Sequence, residues 1–153
     1  APVQIVQMEV VRNLVNLGVI VVCCGGGGIP VVRDKQGHIN GIEGVIDKDR
    51  ASALLAVRLG ADRLVIGTAV DGVFQDFGTP QQQMIRSTDI DSLMVLEHQG
   101  QFPKGSMGPK VKAAHRFLQH GGKEAIICRS DALVDALSGE AGTHIYPNGE
   151  DTP

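Results

Sequence analysis

Six consecutive residues, Val19-Ile20-Val21-Val22-Cys23-Cys24, run without a strongly polar side chain straight into four glycines, Gly25 to Gly28. An apolar, largely β-branched run of that kind predicts a strand buried on both faces, as in parallel sheets covered by helices. Helices are what the flanks predict. Before the run, Ile5, Met8, Val11 and Val15 recur at three-to-four spacing over Ile5 to Leu17, and Gly18 stops the pattern. After it, Asp47 to Leu59 repeats that spacing with Ala53, Leu54, Ala56 and Val57 inward and Gly60 at the end.

The alternation continues. Leu64 to Gly67 reads as a second strand, Ser87-Thr88-Asp89 as the cap of a helix over Asp91 to Glu97, and Gly108-Pro109 as the opening of a helix that reaches about Gln119 and ends at Gly121-Gly122. Ala125 to Cys128 reads as a third buried strand, Ser130 to Leu137 as a last helix and Thr143 to Tyr146 as a closing strand. The fold class this implies is α/β, a three-layer sandwich with a mainly parallel sheet, as one domain over residues 1–147 followed by a polar tail, 148–153, that frays. Its first helix has no strand ahead of it to pack beside, which reads as part of a larger protein.

With 153 residues and 42% hydrophobic content the chain can bury one core, and its net charge of -3 offers no basic face for nucleic acid or an anionic membrane surface. The run from Val19 to Cys24 is far too short to span a bilayer, and no basic stretch leads into an apolar one. A cytoplasmic location is the expectation. Cys23, Cys24 and Cys128 form no CxxC pair and read as small hydrophobes on strands in a reduced compartment, and the five histidines show no HxxxH or HExxH spacing. No metal site built of protein ligands is predicted.

Three segments fall where a strand ends or a helix begins, the place where open α/β sheets bind ligands. Gly25 to Gly28 permits close backbone approach or positive φ and serves either as a turn or as a ligand cradle, but fits neither GxGxxG nor GxxxxGK[ST]. Asp47-Lys48-Asp49 opens a helix, where carboxylates suit the dipole and a lysine does not; Lys48 is either a solvated surface partner or a functional cation. Gly105-Ser106-Met107-Gly108-Pro109-Lys110 offers helix N-terminal amides and a lysine, either an anion site suited to phosphate or an ordinary Gly-Pro helix start.

In order and wording, the segments CCGGGGIPVV, GVIDKDRASALLA, LGADRLVI, GTPQQ, GSMGPKVKAA and GEAGT resemble the C-terminal half of the carbamate kinase family, which has the amino acid kinase fold. The resemblance covers nearly the whole chain and implies its nucleotide-binding half. The implied activity is reversible phosphoryl transfer between ATP and carbamate, giving ADP and carbamoyl phosphate, with Mg²⁺ carried by the nucleotide. Such a reaction needs alignment and charge cancellation more than covalent chemistry.

On the same resemblance, Lys48 and Lys110 neutralise the transferred phosphoryl group and the β-phosphate while Asp47 orients the lysines. Gly26 and Gly27 and the amides around Ser106, Met107 and Gly108 hold the nucleotide's phosphates. The base and ribose side falls to Thr68, Asp71, Phe74 and Phe77, although the phenylalanines read equally well as core. One departure is Ala69, where the family usually reads Thr-Asp-Val-Asp and this chain Thr68-Ala69-Val70-Asp71.

Family members are about twice this long. Their N-terminal half supplies most of the carbamate pocket, and a protruding subdomain carries a further substrate-side lysine, so the isolated chain is expected to be incomplete. The resemblance also implies a homodimer and a place in arginine, agmatine or purine-derived carbamoyl phosphate breakdown. A non-catalytic nucleotide-binding or assembly module on the same fold is the alternative. An oxidoreductase is disfavoured because the dinucleotide glycine fingerprint is missing.

Overall fold

The apolar runs around residues 65 and 126 lie side by side in the computed structural model, which describes residues 2–148. In chain order the elements are α1 (Met8–Asn16), β1 (Val31–Arg33), β2 (Ile39–Gly41), α2 (Lys48–Leu59), β3 (Arg63–Thr68), β4 (Val73–Gln75) and β5 (Gln83–Ile85). There follow β6 (Ser87–Asp89), α3 (Ile90–His98), α4 (Met107–Gln119), β7 (Glu124–Arg129), α5 (Leu133–Leu137) and β8 (Thr143–Tyr146).

The central sheet has the order β3-β7-β8-β6. β3 and β7 are parallel from Arg63↔Glu124 to Thr68↔Arg129, as the alternation of strand and helix predicts. β8 returns antiparallel to β7 and then pairs parallel with β6, so the sheet is mixed. Length accounts for the reversal. A five-residue α5 spans only about 7.5 Å, whereas a six-residue strand such as β7 needs about 20 Å to be retraced. The chain therefore re-enters the sheet near the carboxyl end of β7 and runs back along it.

Pleating sorts the side chains into two cores. Leu64 and Ile66 of β3 and Ala125 and Ile127 of β7 join Ala53 of α2, Leu93 of α3, and Val111 and Phe117 of α4 in one cluster. Ile126 and Cys128 face the other way onto Ala136 of α5. Helices on both faces of a sheet give the expected three layers.

Several expectations are corrected. Val19 to Cys24 is not a strand: among the described residues nothing pairs with it, and Ile20 is 94% and Val22 97% exposed. β-branched residues favour extended backbone, but a strand also needs a neighbour for its ladder and cover for its faces. Cys23 and Cys24 are accordingly partly buried on an unpaired segment, while Cys128 is buried on β7. Ser87-Thr88-Asp89 is itself strand β6, its last residue doubling as the cap of α3, and the last helix contracts from the expected Ser130–Leu137 to α5.

Two antiparallel hairpins, β1-β2 and β4-β5, carry no periodic signal in the sequence because three-residue strands are too short to show one. The second is tied to the sheet by the buried Thr143, whose hydroxyl accepts from the Val73 amide at 2.8 Å and donates to the Ile85 carbonyl. No helix among the described residues is long and apolar enough to cross a membrane. Of the expected fraying tail, residues 149–153 lie outside the described residues.

Candidate functional site

Gly27 brings the first two glycine-rich or charged segments together. At φ +135°, a conformation few L side chains adopt, a Cβ on it would lie 1.8 Å from the Ile46 carbonyl oxygen. Only glycine lets the loop seat against the peptide leading into α2. Its amide donates to the Cys24 carbonyl at 2.8 Å, closing the turn. Gly26 beside it is exposed, and a Cβ on it would meet nothing within 4 Å.

At the start of α2 the carboxylates have separate tasks. Asp47 is the N-cap, its Oδ1 accepting from the Arg50 amide at 2.9 Å. Asp49 is 6% exposed and its Oδ2 lies 3.1 Å from Nζ of Lys110, which is 7% exposed. Asp49, and not the expected Asp47, is thus the carboxylate that positions Lys110. The Asp-Lys-Asp spelling carried the signal, but only the packing of α2 on α4 shows which aspartate faces inward. Lys48 between them is exposed and takes part in none of the ion pairs among the described residues.

α4 begins at Met107 with Ser106 as its N-cap residue. The Ser106 and Gly108 amides both donate to the Pro103 carbonyl, at 3.2 and 3.0 Å, so these two of the amides expected at a phosphate are engaged within the protein. Gly108 allows that approach, since a Cβ there would meet the same oxygen at 3.2 Å.

Beside this helix start lies a cavity of about 170 Å³, whose walls include Thr68, Phe74, Phe77, Ser106 and Met107. Five of the residues expected at a nucleotide are therefore gathered in one place, next to the carboxyl end of β3. The rings of Phe74 and Phe77 stand 5.7 Å apart at 57°. Phe77 is 53% exposed, which removes it from the core. Ala69 and Val70 complete the β3 side, and Gln101, Phe102 and Pro103 the side from the α3–α4 connection; the last three carried no sequence signal.

Asp71 is placed elsewhere. Its Oδ1 accepts from Nη1 of Arg129 at 3.3 Å, and it lines a separate cavity of about 230 Å³ with Arg86, Arg129 and Glu140. Asp131, the nearer partner of Arg129 at 2.6 Å, raises the guanidinium pKa, and Arg129 in return holds the Asp131 carboxyl below the usual carboxylate range. The Cys24 thiol is pushed up, by burial first and by Cys23 next, so it lacks the thiolate character of an activated nucleophile. Among the described residues no group of three or more His, Cys, Asp or Glu could hold a metal ion.

One end of the site thus offers two lysines, at the starts of α2 and α4, the other an apolar and aromatic recess, with the start of α4 common to both. Polyanion at one end and planar ring at the other is the shape of a nucleoside polyphosphate.

Comparison with known proteins gives the same direction. The family model described as amino acid kinase family matches residues 1–129. The carbamate kinase-like protein YahI of Escherichia coli is 46% identical over 144 residues, 94% of this chain and 46% of its own length. The carbamate kinase of Pyrococcus horikoshii is 44% identical over 142 residues, 93% of this chain and 45% of its own length. The structure of carbamate kinase from Giardia lamblia bound to AMP-PNP superposes with a TM-score of 0.93 at 40% identity, covering 96% of this chain and 51% of that one. The chain spans about half the length of the relatives it matches.

Proposed function

Because the chain belongs to the amino acid kinase family, we propose that it carries the nucleotide side of a carbamate kinase-type phosphotransferase. The observation that supports this best is the buried Asp49–Lys110 pair joining the first turns of α2 and α4, where α4 opens from the aromatic cavity at Ser106 and Met107. In this reading Phe74, Phe77 and Met107 hold the base of ATP. The polyphosphate runs along the starts of α2 and α4, past Gly27.

Lys110, fixed by Asp49, meets the β-phosphate, and Lys48, which takes part in no ion pair among the described residues, meets the phosphoryl group in transfer. A carbamate oxygen forms a bond to the γ-phosphorus as the bond to the bridging oxygen breaks, and ADP leaves with that electron pair. No protein nucleophile is needed, and cancellation of developing charge is the protein's main contribution. Mg²⁺ arrives on the phosphates of the nucleotide. The acceptor pocket belongs to the part of the relatives' length that this chain does not span. A cytoplasmic homodimer working in carbamoyl phosphate breakdown completes the reading.

Titration calorimetry with Mg·ADP tests it on the folded chain. Saturable binding is expected, and no heat at millimolar nucleotide would sink the proposal. Ala69, which lines the cavity where the family pattern carries a carboxylate, favours a second reading, a nucleotide-binding module without catalysis. That module would bind ADP yet make no ATP from carbamoyl phosphate even when completed with an acceptor-side half.

A further inference from the structure

Asp76 follows the last residue of β4 and has φ +51°, one of two non-glycine residues in the left-handed region among those described. Aspartate tolerates that conformation better than most side chains, but it needs fixing from outside. Gln101, in the connection between α3 and α4, supplies the fixing twice: its Oε1 accepts from the Asp76 amide at 2.8 Å, and its Nε2 donates to Asp76 Oδ1 at 3.0 Å. From the hairpin's own side, the Thr79 amide and hydroxyl both donate to the Asp76 carbonyl, at 3.1 and 2.8 Å.

The next residue is Phe77, whose ring forms the outer wall of the nucleotide cavity against Phe74. Half-exposed as it is, Phe77 is not held by packing alone. Its direction follows from the backbone of Asp76. The connection carrying Gln101 also places Phe102 and Pro103 in the same cavity, and the Pro103 carbonyl receives the amides that start α4. Both polar ends of Gln101 are engaged by Asp76, so its role is to hold the wall.

On the nucleotide reading given above, we propose that Gln101 is a positioning residue for the nucleotide base, clasping Asp76 so that Phe77 stands against Phe74 as one wall of the base recess. The clasp acts on the base end only, because the Asp49–Lys110 pair at the phosphate end has no bond to either partner. Loss of the clasp therefore weakens ligands that carry a base and spares ligands that are phosphate alone.

The test measures Kd for Mg·ADP and for inorganic tripolyphosphate on the full chain as wild type, Gln101→Ala, Gln101→Glu and Gln101→Glu/Asp76→Asn, with folding followed by circular dichroism. Gln101→Ala, which removes two hydrogen bonds, should weaken ADP by roughly tenfold and change tripolyphosphate by less than about twofold. Gln101→Glu sets two carboxylates face to face and should weaken ADP at least as much. The added Asp76→Asn gives the glutamate a donor and should restore most of the affinity, since asparagine also accepts positive φ.

Equal weakening of both ligands, or ADP affinity unchanged in Gln101→Ala, would overturn the clasp while leaving the nucleotide site standing. A wild type that binds tripolyphosphate but not ADP would overturn both. If Gln101→Ala fails to fold, the glutamate pair decides: rescue by Asp76→Asn supports the clasp, and no rescue in a folded double variant refutes it.

Discussion

Lys48 and Lys112 are both exposed lysines on helices, yet their surroundings set opposite expectations. Lys112 lies 2.8 Å from Glu97 in a surface ion pair, whereas Lys48 has no ion-pair partner among the described residues and stands between the cap Asp47 and the buried Asp49. In an enzyme completed with an acceptor-side half, Lys48→Ala should lower kcat by about a hundredfold or more, on the order of 3 kcal/mol of transition-state stabilisation. Lys112→Ala should leave kcat nearly unchanged. Steady-state kinetics of the three proteins checks this, and equal rates would make Asp47-Lys48-Asp49 an ordinary helix start. The aspartates separate by thermal melting. Asp49→Asn leaves the Lys110 ammonium buried without its counter-charge, a loss of about 3–5 kcal/mol, while Asp47→Ala removes a helix cap worth about 1 kcal/mol. The reverse ranking would return the positioning of Lys110 to Asp47.

At the scale of an element, β6 and α3 share one residue. Asp89 ends the strand opposite Tyr146 and caps the helix, its Oδ2 accepting from the Ser92 hydroxyl at 2.6 Å and its Oδ1 from the Ser92 amide at 2.9 Å. The hydroxyl first and the amide second hold the Asp89 carboxyl below the usual carboxylate range. A folded-state pKa lowered in this way adds stability above the unfolded-state value, about 3.9. That stability is lost as pH falls through the folded value. Asp89→Asn keeps an oxygen acceptor but does not titrate, so the melting temperature of the wild type should fall more steeply than that of Asp89→Asn below about pH 4. Asp89→Ala should cost about 1 kcal/mol at neutral pH. Identical acid profiles for wild type and Asp89→Asn would remove Asp89 from the acid response.

For the molecule as a whole, the consequential fact is that the chain spans about half the length of its relatives. Alone, it should bind ADP but form no ATP from ADP and carbamoyl phosphate above background in a coupled assay; robust turnover would mean that an acceptor pocket is present in these residues after all. The helices α1, α2 and α4, strands β3 and β7 and their parallel order were legible in the sequence, because each is long enough to show a period and is closed by a residue with a local reason to be there, such as Gly18 at φ +77° or Gly60 at φ +68°. The residues of the proposed site were legible as motifs: Gly27, Lys48, Lys110, and the set Thr68, Phe74, Phe77, Ser106 and Met107 that meets in one cavity. What the sequence could not decide was every choice between neighbours of like chemistry: that Asp49 and not Asp47 faces Lys110, that Asp71 turns to Arg129, that Gln101 reaches Asp76 across 25 residues. Nor could it decide that Val19 to Cys24 stays unpaired while Thr143 to Tyr146 runs antiparallel to β7. Local sequence carries period, capping and backbone freedom, which depend on a few adjacent residues; the direction of a side chain and the partner of a strand are fixed by contacts between distant segments, and these exist only once helices and sheet have packed.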